Sequence, residues 1–109
     1  MYNALGPGLL ESAYSHILAH ELSKQGLSVK KEVPLPIIYE SEQLDVGYRI
    51  DLLINDIVII ELKSVEKLLE VHHKQIITYL KLSNKKLGIL VNFNTSNIEN
   101  SIFRKVNKL

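Results

Sequence analysis

The stretch from Gly47 to Ser64, GYRIDLLINDIVIIELKS, is the most apolar run in the chain, yet it carries Asp51, Glu61 and Lys63 among Ile, Leu and Val. A charge in such surroundings costs several kcal/mol unless it is paired or binds a metal. A divalent-metal site, completed and covered by the rest of the chain, accounts for all three. Asn55-Asp56 divides the run into two strands, Val46 to Ile54 and Ile57 to Lys63. Glu61 and Lys63 are two apart and share a face. Whether Asp51 joins them is a question of register. A regular two-residue loop would pair Ile50 with Glu61 and turn Asp51 away. A three-residue loop, Asn55 to Ile57, pairs Asp51 with Glu61. A shared site therefore predicts an odd-length loop, or a bulge beside Asp51.

The flanking segments read as two helices and two or three further strands. Leu5-Gly6-Pro7-Gly8 is a turn. From Leu9 to about Gln25, Leu10, Tyr14, Ile17, Leu18 and Leu22 recur at helical spacing, and Gly26 supplies the stop. At about 100° per residue, Glu11 falls on the side of Tyr14, Leu18 and Leu22, so it is expected to point towards the core edge. Glu21 also lies near that stripe and reads as a side chain long enough to reach water. Leu27 to Tyr39 reads as one strand, with Val29, Val33 and Leu35 on one face and Lys30 and Glu32 on the other. Pro34 and Pro36 remove ladder donors and make it an edge or bulged strand. Glu40 to Gln43 reads as a polar turn.

After a charged connection, Val71 to about Asn84 is a helix with three stripes. Ile76, Ile77 and Leu80 are apolar, Lys74, Lys81 and Lys85 are basic, and His72, Gln75 and Tyr79 form the third. Leu87 to Phe93 is a continuous apolar run, expected as a fully buried strand. The tail from Ile98 to Leu109 fits a short strand or a helix. The order helix, three-strand antiparallel meander, helix, strand gives one α/β domain over 109 residues, with a mixed sheet flanked by helices.

Composition narrows the chemistry. There is no cysteine, which excludes thiolate metal sites and disulfides. No apolar run approaches the ~20 residues of a membrane span, and the first residues lack the basic and apolar regions of a secretory signal, so a cytoplasmic location is the default expectation. The net charge is only +1, but residues 1–66 hold five bases against ten acids, and residues 67–109 hold eight bases against Glu70 and Glu99. An acidic half for metal and a basic half for phosphate would suit a nucleic-acid enzyme. On charge alone, a solvated basic face is the simpler account.

Carboxylates converging at a cleft edge suit Mg²⁺, which prefers oxygen ligands and keeps several waters. Glu11 is a candidate third ligand, Lys63 a candidate to orient or deprotonate an attacking water, and Gln75 and Tyr79 candidates to contact substrate. Each signal taken alone has a plainer explanation. Glu-x-Lys is more often a surface pair, and Gln75 and Tyr79 could be a helix surface pair. His72 and His73 point about 100° apart on a helix and do not easily serve one ion. His73 reads as core-facing and His72 as lining the site. His16 and His20 lack a third ligand and read as an exposed face.

Gly8-Leu-Leu-Glu11-Ser-Ala-Tyr14, with Leu-Gly-Pro-Gly before it, GYRIDLL, IIELKSVEKL, VHHKQIITYLKL and LGILVNFN, resembles the GxxExxY proteins over nearly the whole chain. These proteins look like members of the PD-(D/E)xK nuclease superfamily, and the resemblance implies a restriction-endonuclease-like core. It places Asp51 at the motif aspartate, with Ile50 in place of the preceding proline. Glu61 and Lys63 match the E-x-K pair, Glu11 the extra acid on the first helix, and Gln75 and Tyr79 the QxxxY element of RecB-like nucleases. The implied activity is a Mg²⁺-dependent nuclease acting on DNA, with Mn²⁺ as a substitute. Metal would sit at Glu11, Asp51 and Glu61. Apart from the resemblance, the stripes of the second helix make His72, Lys74, Lys81 and Lys85 candidates to contact substrate. The alternatives are a non-catalytic nucleic-acid-binding or assembly module with the same fold, and a structural dimerisation domain. Relatives usually carry a further helical segment before Leu-Gly-Pro-Gly, so a homodimer covering the short N-terminus is a further expectation.

Overall fold

The computed structural model describes residues 6–107; Leu5 of the predicted turn and Lys108 and Leu109 of the tail lie outside them. Helix α1 (Glu11–Lys24) is followed by β1 (Val29–Pro34), a small hairpin of β2 (Ile37–Tyr39) and β3 (Glu42–Leu44), then β4 (Arg49–Ile54) and β5 (Val58–Lys63). Helix α2 (Glu70–Ser83), β6 (Leu87–Asn92), a 3-10 turn (Ile98–Ser101) and β7 (Ile102–Val106) complete it. One sheet runs β1-β4-β5-β6-β7. All its pairings are antiparallel except β5–β6, which is parallel. A parallel pair needs a crossover of a dozen or more residues, and α2 provides it.

The helices cover opposite faces of the sheet. Under α1, Tyr14 and Ala19 pack with Leu52, Ile54, Ile60, Leu62, Val91 and Phe93. Under α2, Ile76, Tyr79 and Leu80 pack with Leu35, Ile50, Leu53, Ile59 and Leu90. Burial on both faces explains why β4, β5 and β6 read as continuous apolar runs. The edge strands β1 and β7 carry Lys30, Lys31, Arg104 and Lys105, which discourage pairing with other chains. A Cβ on Gly88 would stand 2.9 Å from Ile76 Cδ1, so the bare backbone of β6 is what allows α2 to lie so close.

Two sequence expectations need correction, and one left open is resolved. The strand predicted over Leu27–Tyr39 breaks at Leu35-Pro36, because two prolines two residues apart cannot continue a ladder. The supposed polar turn from Glu40 to Gln43 is narrower: only Glu40 and Ser41 turn, both at positive φ, while Glu42 and Gln43 belong to β3. The meander is thus β1, β4 and β5, with the β2–β3 hairpin inserted after its first strand. The tail resolves as the edge strand β7, whose backbone pairs with β6 from Val91–Ile102 to Leu87–Val106.

The β4–β5 loop has three residues: Ile54 pairs with Val58, Leu53 with Ile59 and Leu52 with Ile60. Asn55 and Asp56 lie at φ +52° and +57°, a conformation that Asn and Asp tolerate better than other side-chain-bearing residues. Asn55 Oδ1 accepts from Ser28 N at 2.9 Å, and Asn55 N donates to Ser28 O at 2.8 Å, locking the loop to the start of β1. Asn55→Ala should therefore destabilise the domain by about 1–2 kcal/mol. Asn55→Gly should cost less in backbone strain. Thermal melting of the two variants checks the order.

Candidate functional site

The backbone ladder between β4 and β5 stops at Leu52–Ile60, one residue short of Asp51 and Glu61. Side chains replace it. Asp51 N donates to Glu61 Oε1 at 3.2 Å, and Leu62 N donates to Asp51 Oδ2 at 2.9 Å. The strand changes face at the same place. Ile50 and Leu53 both pack under α2, although three residues apart in a regular strand would face opposite ways. On β1 the partner position, Glu32, drops out of the β1–β4 pairing and lies at φ +53°. A non-glycine residue there is strained, and such strain concentrates at functional sites.

Glu61 is 3% exposed. Burial first, and then the neighbouring Asp51 charge, push its carboxyl up to about 9. Asp51 is half-buried, and burial raises it as well, helped by the charge of Glu32. Lys63, whose charge favours both carboxylates, does not offset the burial. Burial therefore raises both carboxyls, Glu61 the more strongly.

Helix α2 supplies the facing wall. Gln75 Nε2 donates to Tyr79 Oη at 3.2 Å, and burial together with the nearby Glu61 raises the Tyr79 hydroxyl. Tyr79 stands against Tyr48, with ring centroids 5.7 Å apart. Tyr48, Lys63, His72, Lys74, Gln75 and Tyr79 line a groove of about 480 Å³. Nδ1 of His72 accepts from Leu69 N at 2.9 Å, which leaves the ring proton on Nε2. His73 packs edge-on against Phe103 at 4.9 Å, as a core-facing residue should, and burial lowers its pKa.

Three predicted site residues are not brought to this groove. Glu11 is exposed rather than inward: it is the first residue of α1, and the core packing of that helix begins at Tyr14. Its Oε1 accepts from Ser64 N at 3.1 Å, and it lines a separate depression with Gly8, Leu9, Ser64 and Asn94. Lys85 lies at the other end of the sheet, where its Nζ donates to Asp56 O at 2.7 Å. Lys81 is exposed in the last turn of α2. The stripe of lysines is real as a helix face, but α2 runs away from the carboxylates, so only Lys74 reaches the groove. There it also pairs with Glu70 at 3.4 Å.

Sequence reasoning missed three residues. Tyr48, three residues before Asp51, borders the groove, and Glu32 faces Asp51 from β1. Buried Asn92 holds the segment after β5: its Oδ1 accepts from Val65 N and Asn94 N, and its Nδ2 donates to Val65 O at 2.9 Å. Only Asn92 left a trace in the sequence, as a polar residue inside an apolar run.

A family model described as the PD-(D/E)XK nuclease superfamily matches residues 1–105. The chain belongs to that superfamily, and its mixed five-stranded sheet between two helices is consistent with the restriction-endonuclease-like fold. No curated protein and no solved structure matches it significantly. Nucleases of this superfamily generally use divalent metals. The Asp51–Glu61 pair fits such an ion: two adjacent carboxylates, one fully buried, that repel each other unless a proton or a cation lies nearby. Among the described residues no three His, Asp or Glu side chains cluster as a ligand set. Further ligands at this pair would be water or substrate oxygens, as Mg²⁺ commonly keeps. No helix among the described residues is long and apolar enough to cross a membrane.

The raised carboxyl of Glu61 has a consequence for stability. Its folded pKa lies above its ordinary value of 4.5, so its contribution is complete below about pH 4.5 and is lost as pH rises through about 9. In chelator, Glu61→Gln should therefore melt above the wild type at pH 8 and converge with it near pH 4.5. A destabilisation removed by the substitution shows as about 4–8 °C per kcal/mol in a domain of this size. Melting curves of both proteins from pH 4.5 to 9 test it.

Proposed function

We propose that the chain is a Mg²⁺-dependent nuclease of the GxxExxY type that hydrolyses phosphodiester bonds of DNA. The observation that carries this reading is the pair of carboxylate bonds across β4 and β5, Asp51 N to Glu61 and Leu62 N to Asp51, with Lys63 two residues on from Glu61. Asp51 and Glu61 would hold the ion. When bound, it polarises the phosphodiester and lowers the pKa of an attacking water. Lys63 orients that water or neutralises charge developing on the phosphate. As the water oxygen bonds to phosphorus, its proton leaves to a base or to solvent, and the bond to the departing sugar oxygen breaks. Gln75 and Tyr79 support the substrate side of the groove. Glu11 acts in this reading through Ser64, holding the end of β5 that carries Lys63.

Purified protein incubated with DNA and Mg²⁺ or Mn²⁺ should cleave it, and Lys63→Ala should lower the rate about 10²–10⁴-fold while remaining folded. Absence of metal-dependent cleavage by the wild type would sink the proposal. The ligand assignment is tested separately by thermal shift. Mn²⁺ should raise the melting temperature of wild type and of Glu11→Ala, and should lose that effect in Asp51→Ala.

A non-catalytic nucleic-acid-binding module is the second reading. The separation of Glu11 from the carboxylate pair favours it, because among the described residues no third ligand joins the two carboxylates. It predicts salt-sensitive DNA binding, unaffected by chelator and without turnover.

A further inference from the structure

We propose that the groove beside the carboxylate pair receives single-stranded nucleic acid and that Tyr48 is the face on which one unpaired base stacks. The proposal rests on the nuclease reading for what the pair does to the strand, and on the groove itself for strandedness.

Tyr48 and Tyr79 touch, yet they differ in exposure. Tyr79 is 6% exposed and belongs to the core under α2. Tyr48 is 40% exposed and lines the groove, with its ring tilted 44° to that of Tyr79. One tyrosine is therefore a buried buttress, and the other presents π surface to solvent. The backbone of Tyr48 is fixed: its carbonyl accepts from Leu35 N at 2.9 Å and from the Arg49 guanidinium at 2.8 Å. A fixed aromatic ring loses little entropy when a base lies on it.

The surroundings match a strand rather than an isolated base. Lys63 and Lys74 line the same groove. The Lys74–Glu70 pair is highly exposed on both sides, so it contributes little and can yield to a phosphate. The proton on Nε2 of His72 is a further donor. Exposed Val71 adds apolar surface at the lip. Aromatic faces interleaved with cations are the usual arrangement for single strands.

Two observations argue against a duplex. In a duplex each base is stacked on both faces, so a ring in a groove of about 480 Å³ meets none of them. Duplex binding without stacking relies on many phosphate contacts, and this chain has a net charge of only +1, with Lys85 committed at the far end of the sheet.

The test uses the whole chain in EDTA, which keeps the probe intact. Fluorescence anisotropy would follow binding to a labelled oligothymidylate, the corresponding duplex, and an oligouridylate that separates DNA from RNA. At least one single strand should bind about 10-fold or more tightly than the duplex. Tyr48→Leu, which fills the space beside Tyr79 without a π face, should weaken that binding about 10-fold. Tyr48→Phe should retain it, and melting curves should show both variants folded. Duplex binding as tight as single-strand binding, or a folded Tyr48→Leu variant that binds like the wild type, overturns the proposal. Tyr48-dependent single-strand binding with no cleavage in Mg²⁺ or Mn²⁺ upholds it and removes the nuclease reading. Cleavage in metal by a protein indifferent to Tyr48 does the reverse.

Discussion

Two hydrogen bonds hold β4 to β5 at the point where their backbone ladder ends, and both involve a carboxylate. Asp51 takes the Leu62 N–H, and Glu61 takes that of Asp51. Each acid thus fills the place of a backbone carbonyl on the opposite strand. A buried backbone donor must be satisfied, so neither acid can leave without exposing an orphan donor between two packed helices. The same bonds hold the carboxylates side by side, where burial and the Asp51 charge push the Glu61 carboxyl up against the opposing pull of the Asp51 N–H. The architecture and the proposed chemistry therefore depend on one arrangement, in which structural acceptors are also the metal-binding candidates.

The residues around this pair fix the end of β5. The Gly8-x-x-Glu11-x-x-Tyr14 spacing joins the start of α1 to that end. Glu11 accepts from Ser64 N, Ser64 Oγ donates to Leu9 O, and the Tyr14 hydroxyl donates to Gly6 O and accepts from Leu9 N. Tyr14 also stacks on Phe93, with ring centroids 4.4 Å apart, and Phe93 N donates to Lys63 O. With Asn92 clamping Val65, the backbone on both sides of Lys63 is held from α1 and from β6.

The fold was legible because its periodicities are strong. Apolar spacing placed α1, α2, β5 and β6 within a residue or two of their observed ends, and the turn at Asn55 was visible as Asn-Asp between apolar runs. Prolines marked a disturbance near Leu35 but could not say that a separate hairpin leaves the sheet there. Helical spacing puts Gln75 and Tyr79 on one face, and folding brings that face to the groove lined by Lys63. The stripe of Lys74, Lys81 and Lys85 misled, because spacing fixes a face but not the direction in which the helix leaves the site. Glu11 misled for a related reason: angular position on a helix does not say which residue of the stripe is the first to be covered, and here that is Tyr14.

By itself the sequence determined which residues carry charge within the apolar run, and that burying them demands partners. It also determined that Glu61 and Lys63 share a face, because alternation along a strand is local geometry. Only the tertiary structure decided that Asp51 meets Glu61. That required a three-residue loop with two left-handed residues tied to Ser28, and a change of face where Glu32 and Asp51 leave the ladder. Tyr48 and Glu32 likewise became neighbours of the site only on folding. Register and strand twist are set by contacts between segments distant in the chain, and local propensity does not encode them.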